Sequence, residues 1–200
     1  MRARTTLYSL ALTCGLGALV AGCRDVAAPN QSAVSDHVSV SAMNTGITGA
    51  GTYTYNPSSP ATFYLPDMHR IEFPAGAVCD PLLSTYGVTE WDQPCTPLTT
   101  PIAISVVTSR DAAGHPRVDF TPSLRFVPGK EVVLYLRDRA ASTDSTAVIQ
   151  WCGPDGQCVE EPAFQPAYQT KRDASKWMVY RSIKHFSGYL ISAGWDRAAL

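Results

Sequence analysis

The chain has no run of one charge. No Lys/Arg stretch exceeds Lys171-Arg172, and 17 acidic residues face 16 basic ones. A protein that holds nucleic acid through counterion release needs a basic patch, so nucleic acid is not expected as a partner. The four histidines, His37, His69, His115 and His185, form neither an i, i+4 pair nor an H-E-x-x-H, and no metal is expected. A G-x-S-x-G elbow is missing, and Pro128-Gly129-Lys130 lacks the first glycine and the following Ser/Thr of a P-loop, so no nucleotide or other cofactor is expected. Long apolar runs are also scarce. Leu7 to Val20 is interrupted by Ser9 and Thr13 and falls short of the roughly 20 residues that span a bilayer.

That short run sits between Met1-Arg2-Ala3-Arg4 and Val20-Ala21-Gly22-Cys23. A basic start, an apolar stretch and a small-residue site describe an export signal, residues 1–22, that is removed. The ending in cysteine resembles the lipobox of bacterial lipoproteins. The resemblance implies that Cys23 carries diacylglyceride on its sulfur and becomes the acylated N-terminus, so the partner is a membrane, reached through a lipid anchor. The alternative is an ordinary secretory signal that ends by chance in Cys. Arg24 follows Cys23, so the aspartate that retains some lipoproteins at the inner membrane is missing. The expected location is the bacterial cell envelope, at the outer membrane where two membranes exist.

With Cys14 removed and Cys23 lipidated, Cys79, Cys95, Cys152 and Cys158 remain. Four cysteines allow three connectivities. Local pairing, Cys79 with Cys95 and Cys152 with Cys158, is the economical one, because Gly153-Pro154-Asp155-Gly156 is turn chemistry that brings strand ends together. Neither C-x-x-C nor metal-ligand spacing occurs, which favours structural disulfides over a redox or metal site.

Residues 23–51 are mostly Ala, Ser, Val, Asn, Thr and Gly, with almost no bulky aromatics. Such a segment buries too little apolar surface to offset its ordering entropy and reads as a flexible tether, with a reach of roughly 25 to 30 Å. From residue 52 to 200 the texture changes to short β-rich runs broken by Pro and Gly. Ile102 to Val107 and Glu131 to Arg137 alternate with the period of two that buries one sheet face. Further strands are expected at Thr62 to Leu65, His69 to Phe73, Arg117 to Phe120, Ala147 to Cys152, Lys176 to Ile183 and Gly188 to Ser192. No amphipathic helix of ten or more residues separates them, so the expected fold is an all-β sandwich. Residues 80 to 100 form a Pro-rich excursion.

Three elements occur in a characteristic order: Ile71-Glu72-Phe73-Pro74-Ala75-Gly76-Ala77-Val78, then Val118 to Phe126, then His185-Phe186-Ser187-Gly188-Tyr189. Together they resemble the ZU5 type of β-sandwich, over about residues 68 to 195. The cysteine-bearing segments depart from that pattern, and the chain lacks room for the second domain that accompanies ZU5 in signalling proteins.

In some ZU5 relatives the H-F-S tripeptide cleaves itself, which would assign catalytic roles to His185 and Ser187 and a cut after Phe186. The chemistry needs a hydroxyl beside the scissile carbonyl, a base within reach, and a peptide pushed from its resonance plane. Sequence supplies the first two residue types. In the inert alternative Phe186 fills the core, with His185 and Ser187 on the other strand face. A third possibility is glycan binding on exposed tryptophans. Trp91, in a loop, and Trp195, near the terminus, are the candidates, whereas Trp151 and Trp177 lie in expected strands and should be core. The expected function is a lipid-anchored, non-catalytic binding or structural module for an envelope protein or glycan, with self-cleavage and glycan recognition as the alternatives.

Overall fold

The computed structural model describes residues 46–154, 156–161 and 165–193. Cys23, the signal segment, the tether up to residue 45 and Trp195 lie outside the described residues. The strands are β1 (Gly46–Tyr55), β2 (Ala61–Tyr64), β3 (Arg70–Phe73), β4 (Ile102–Arg110), β5 (Pro116–Thr121), β6 (Val132–Arg137), β7 (Val148–Cys152), β8 (Cys158–Val159), β9 (Lys171–Asp173), β10 (Met178–Ile183) and β11 (Gly188–Ser192). No α-helix occurs among the described residues, only three single turns of 3-10 helix.

Two antiparallel sheets make a β-sandwich. One has the order β1-β4-β5-β11-β7-β8, the other β2-β3-β6-β10-β9. Alternation explains the layering. In β6, Val132, Leu134 and Leu136 are buried while Val133, Tyr135 and Arg137 are half-buried. Facing residues from the first sheet, among them Ile104, Val106 and Phe120, join them in one core, the arrangement that stacked sheets adopt to remove both inner faces from water.

The chain repeatedly changes sheet. β10 belongs to one sheet and β11 to the other, so residues 184–187 cross between them. β11 then lies between β5 and β7, with all of its residues buried. Both local disulfides are present, Cys79–Cys95 and Cys152–Cys158.

Two readings change. The sandwich begins at Gly46, inside the segment read as tether, because a strand needs backbone pairing and not bulk: Gly46 to Tyr55 pair with Arg110 to Ile102 along the sheet edge. Gly49 has to be small there, since a Cβ would come within 2.5 Å of Pro66. Trp177, read as core, is 39% exposed. β10 starts one residue later, and Trp177 belongs to the β9–β10 turn in the left-handed region, φ 58°.

Candidate functional site

The His185-Phe186-Ser187 tripeptide occupies the crossing from β10 to β11. Its middle residue behaves as expected of a core aromatic. The Phe186 ring is fully buried, stacks on Phe120 at 4.4 Å between centroids, and meets Phe126 and Phe73 edge-on. Backbone bonds hold the crossing on both sides. Phe186 N–H donates to the Leu124 carbonyl, and Phe120 N–H donates to the Ser187 carbonyl at 3.1 Å.

His185 and Ser187 do not sit on a strand face, as the inert alternative expected. Because the crossing lies outside both strands, their side chains converge, with Ser187 Oγ 3.3 Å from His185 Nδ1. The other ring nitrogen, Nε2, is 2.9 Å from Glu161 Oε1. A carboxylate only accepts, so Nε2 carries the proton, and in the neutral ring Nδ1 keeps its lone pair toward Ser187. Glu161 is itself held in place: its Oε2 accepts from the Arg181 guanidinium at 3.1 Å, and both side chains are buried. Arg181 also donates to the carbonyls of Ile149 and Ser182, so this buried cation is paired and hydrogen-bonded, the condition under which an interior charge is tolerated.

A third group completes the cluster. Tyr86 Oη lies 2.8 Å from the Phe186 carbonyl oxygen, to which it donates, and 3.1 Å from His185 Nδ1. Burial pushes the Tyr86 hydroxyl up to about 12, opposed by its hydrogen bond with Ser187 and reinforced by the Glu161 charge. The phenol therefore stays protonated and remains a donor. Tyr189 Oη donates to the neighbouring His185 carbonyl at 2.8 Å, and burial first of all raises its pKa well above the ordinary tyrosine value. The Phe186–Ser187 peptide is trans, and neither residue has a positive φ. The two features that bear on the tripeptide are thus the hydrogen-bonded Phe186 carbonyl and the imidazole nitrogen beside Ser187.

Tyr86 reaches the site on the excursion closed by Cys79–Cys95. That loop is fastened from below. Arg125 donates to the carbonyls of Glu90 and Gln93 at 2.7 and 2.6 Å, and Lys184 Nζ reaches both Asp92 oxygens at 2.6 and 2.8 Å. Trp91, expected to be available at the surface, is 8% exposed: its indole stacks on the His185 ring at 3.6 Å and meets Trp151 edge-on at 4.9 Å. It covers the imidazole instead of presenting a face to a sugar. Gly188 leaves room beside the Phe186–Ser187 bond, since a Cβ there would come within 2.5 Å of Asp119.

Sequence reading named His185 and Ser187 but missed Tyr86, Glu161 and Arg181. Tyr86 lies 99 residues from His185 in the chain, and Glu161 lies 24. The available signal for Tyr86 was its place inside a cysteine-closed loop; nothing in the sequence marks Glu161. Among the described residues no group of three His, Cys, Asp or Glu side chains is placed to hold a metal ion. Comparison of the chain with protein-family models, with curated proteins and with solved structures finds no match in any of the three.

Proposed function

We propose that this β-sandwich is a self-cleaving module that cuts between Phe186 and Ser187, carried to the cell envelope on a lipid attached to Cys23. The observation that carries the reading is the pairing of Ser187 Oγ with His185 Nδ1 while Tyr86 Oη donates to the carbonyl that Ser187 would attack. Ser187 Oγ adds to the Phe186 carbonyl carbon, its proton passes to Nδ1, and the oxygen that gains charge is held by the Tyr86 hydroxyl. Glu161, on the opposite ring nitrogen, stabilises the imidazolium. His185 then returns the proton to the Ser187 nitrogen as the C–N bond breaks. The result is an ester on Ser187 Oγ with a free amine, and water hydrolyses it to fragments ending at Phe186 and beginning at Ser187. Because β11 is hydrogen-bonded on both edges and buried, the two fragments stay together in the folded protein.

The intact mass of the purified protein, measured after denaturation without reductant, tests this. Two fragments that meet at Phe186 and Ser187 are expected, and Ser187→Ala should remove both while leaving both disulfides formed. A single full-length mass in the wild type after prolonged incubation, or fragments that persist in Ser187→Ala, would overturn the reading. The anchor is tested by labelled palmitate, which should enter the wild type and not Cys23→Ala.

A second reading has its own support. The stack of Trp91 on a fully buried His185 also suits a non-catalytic binding or structural module in which the same residues knit the crossing together. An uncleaved wild type would leave this envelope module, with a ZU5-like sandwich, as the function.

A further inference from the structure

At the other end of β10 lies a cavity of about 430 Å³, lined among others by Arg110, His115, Arg137, Asp138, Arg139 and Trp177. It uses none of the groups around His185. Its size falls in the range of small-molecule pockets. The guanidinium carbons of Arg137 and Arg139 lie 4.9 and 5.1 Å from the centre of the Trp177 ring, so two full positive charges converge on one indole. The nearby carboxylates each contact another side chain, including Asp138 in the cavity wall. Asp67 pairs with Arg110, Asp138 with His115 and Asp173 with Lys176, and neither Arg137 nor Arg139 has a carboxylate within ion-pair distance among the described residues.

Two like charges brought together with no carboxylate in ion-pair contact repel each other, and each Arg presents a planar fork matched to tetrahedral or planar oxyanions. The backbone here is also held in sparsely populated conformations. The described non-glycine residues with positive φ are Asp67, Met68 and Trp177. Asp67 anchors the cavity's Arg110, and Trp177 lines the cavity itself. Residues kept in such conformations concentrate at binding and active sites, where the surrounding structure holds them against their own preference.

We propose that this cavity binds a phosphate monoester on a sugar-sized group, with the dianionic phosphate between Arg137 and Arg139 and the remainder in the cavity beside Trp177. Two uncompensated cations match a dianion better than a single carboxylate, and a phosphate alone would leave most of the space unfilled. The same chemistry arises from a soluble sugar phosphate and from a phosphate-bearing lipid headgroup near the anchoring membrane.

Calorimetric titration of the full chain carrying Cys23→Ala, which removes the acceptor of the lipid, tests the site with glucose 6-phosphate, glucose and inorganic phosphate. Saturable binding of glucose 6-phosphate is expected, with no binding of glucose and weaker binding of phosphate. Arg139→Ala and Arg137→Met should each weaken the sugar phosphate at least tenfold, and Lys130→Ala, an exposed cation outside the cavity, should leave it unchanged. Trp177 fluorescence should respond in the wild type. Flotation with phosphatidic acid vesicles assigns the source: co-flotation lost in Arg139→Ala identifies a lipid headgroup, and sugar phosphate binding without flotation identifies a soluble ligand. Absence of saturable binding to both sugar phosphate and vesicles, equal binding of glucose, or equal loss in Lys130→Ala would overturn the proposal.

Discussion

At the Ile183 end of β10, Trp91 is buried against the ring of His185, Glu161 is shared between His185 and Arg181, and Tyr86 caps a backbone carbonyl. At the Met178 end, Trp177 is 39% exposed and faces two guanidiniums that no carboxylate balances among the described residues. One six-residue strand thus joins a closed site, where each ionisable group has a partner, to an open one, where two cations wait for theirs. The difference is physical. A buried charge has to be neutralised inside the fold, whereas a surface cavity can leave that to water or to a ligand.

One substitution breaks the closed end chemically. Tyr86→Phe removes the donor on the Phe186 carbonyl and should slow fragment formation about 100-fold or more, the scale of losing one oxyanion donor. Timed mass spectra measure it; an unchanged rate would show that the hydroxyl is only structural. Next comes the buried ion pair. Glu161→Ala leaves Arg181 charged and unpaired and should cost about 3 to 5 kcal/mol in urea unfolding, with Glu161→Gln costing less. A loss below about 1 kcal/mol would mean that water reaches Arg181 and that this end is not closed.

A pH profile sharpens the contrast at the open end. His69, at the start of β3, is fully buried, and desolvation first of all lowers its pKa from 6.5 to about 4, the nearby Asp67 charge opposing. The folded protein therefore holds this ring neutral where the unfolded chain would protonate it. Its contribution is fully present above pH 6.5 and is lost as pH falls from 6.5 through 4, by about 3 kcal/mol in total. Denaturant midpoints across that window measure the slope, and His69→Gln should flatten it; an equal slope in the variant would assign the acid sensitivity to other groups. The smallest effect is expected for Trp177→Gly. Relief of the left-handed strain offsets the lost cation–π contacts, so stability should change by no more than about 1 kcal/mol. A larger loss would make Trp177 a packing residue and dissolve the contrast.

Much of the sandwich was legible because β-strands announce themselves locally. The alternation in Val132 to Arg137 and Ile102 to Val107 marks which face is buried, and Gly153 to Gly156 marks a turn that a disulfide then closes. β1 was partly missed, since Gly, Thr and Ala carry no apolar stripe and an edge strand needs only backbone pairing. The same holds for β8 and β9, of two and three residues, which are too short for periodicity to register.

Residues close together in the chain suffice for the all-β class, the cysteines available for bridging and the identity of the His-Phe-Ser tripeptide. Tertiary structure decided which groups meet that tripeptide. Tyr86, Trp91, Glu161 and Arg181 arrive from a disulfide-closed loop, a segment after β8 and a strand of the opposite sheet. It also decided which tryptophan faces water, burying Trp91 and exposing Trp177. Contacts between distant segments depend on how two sheets pack and where the chain crosses between them, and local spacing carries no record of either.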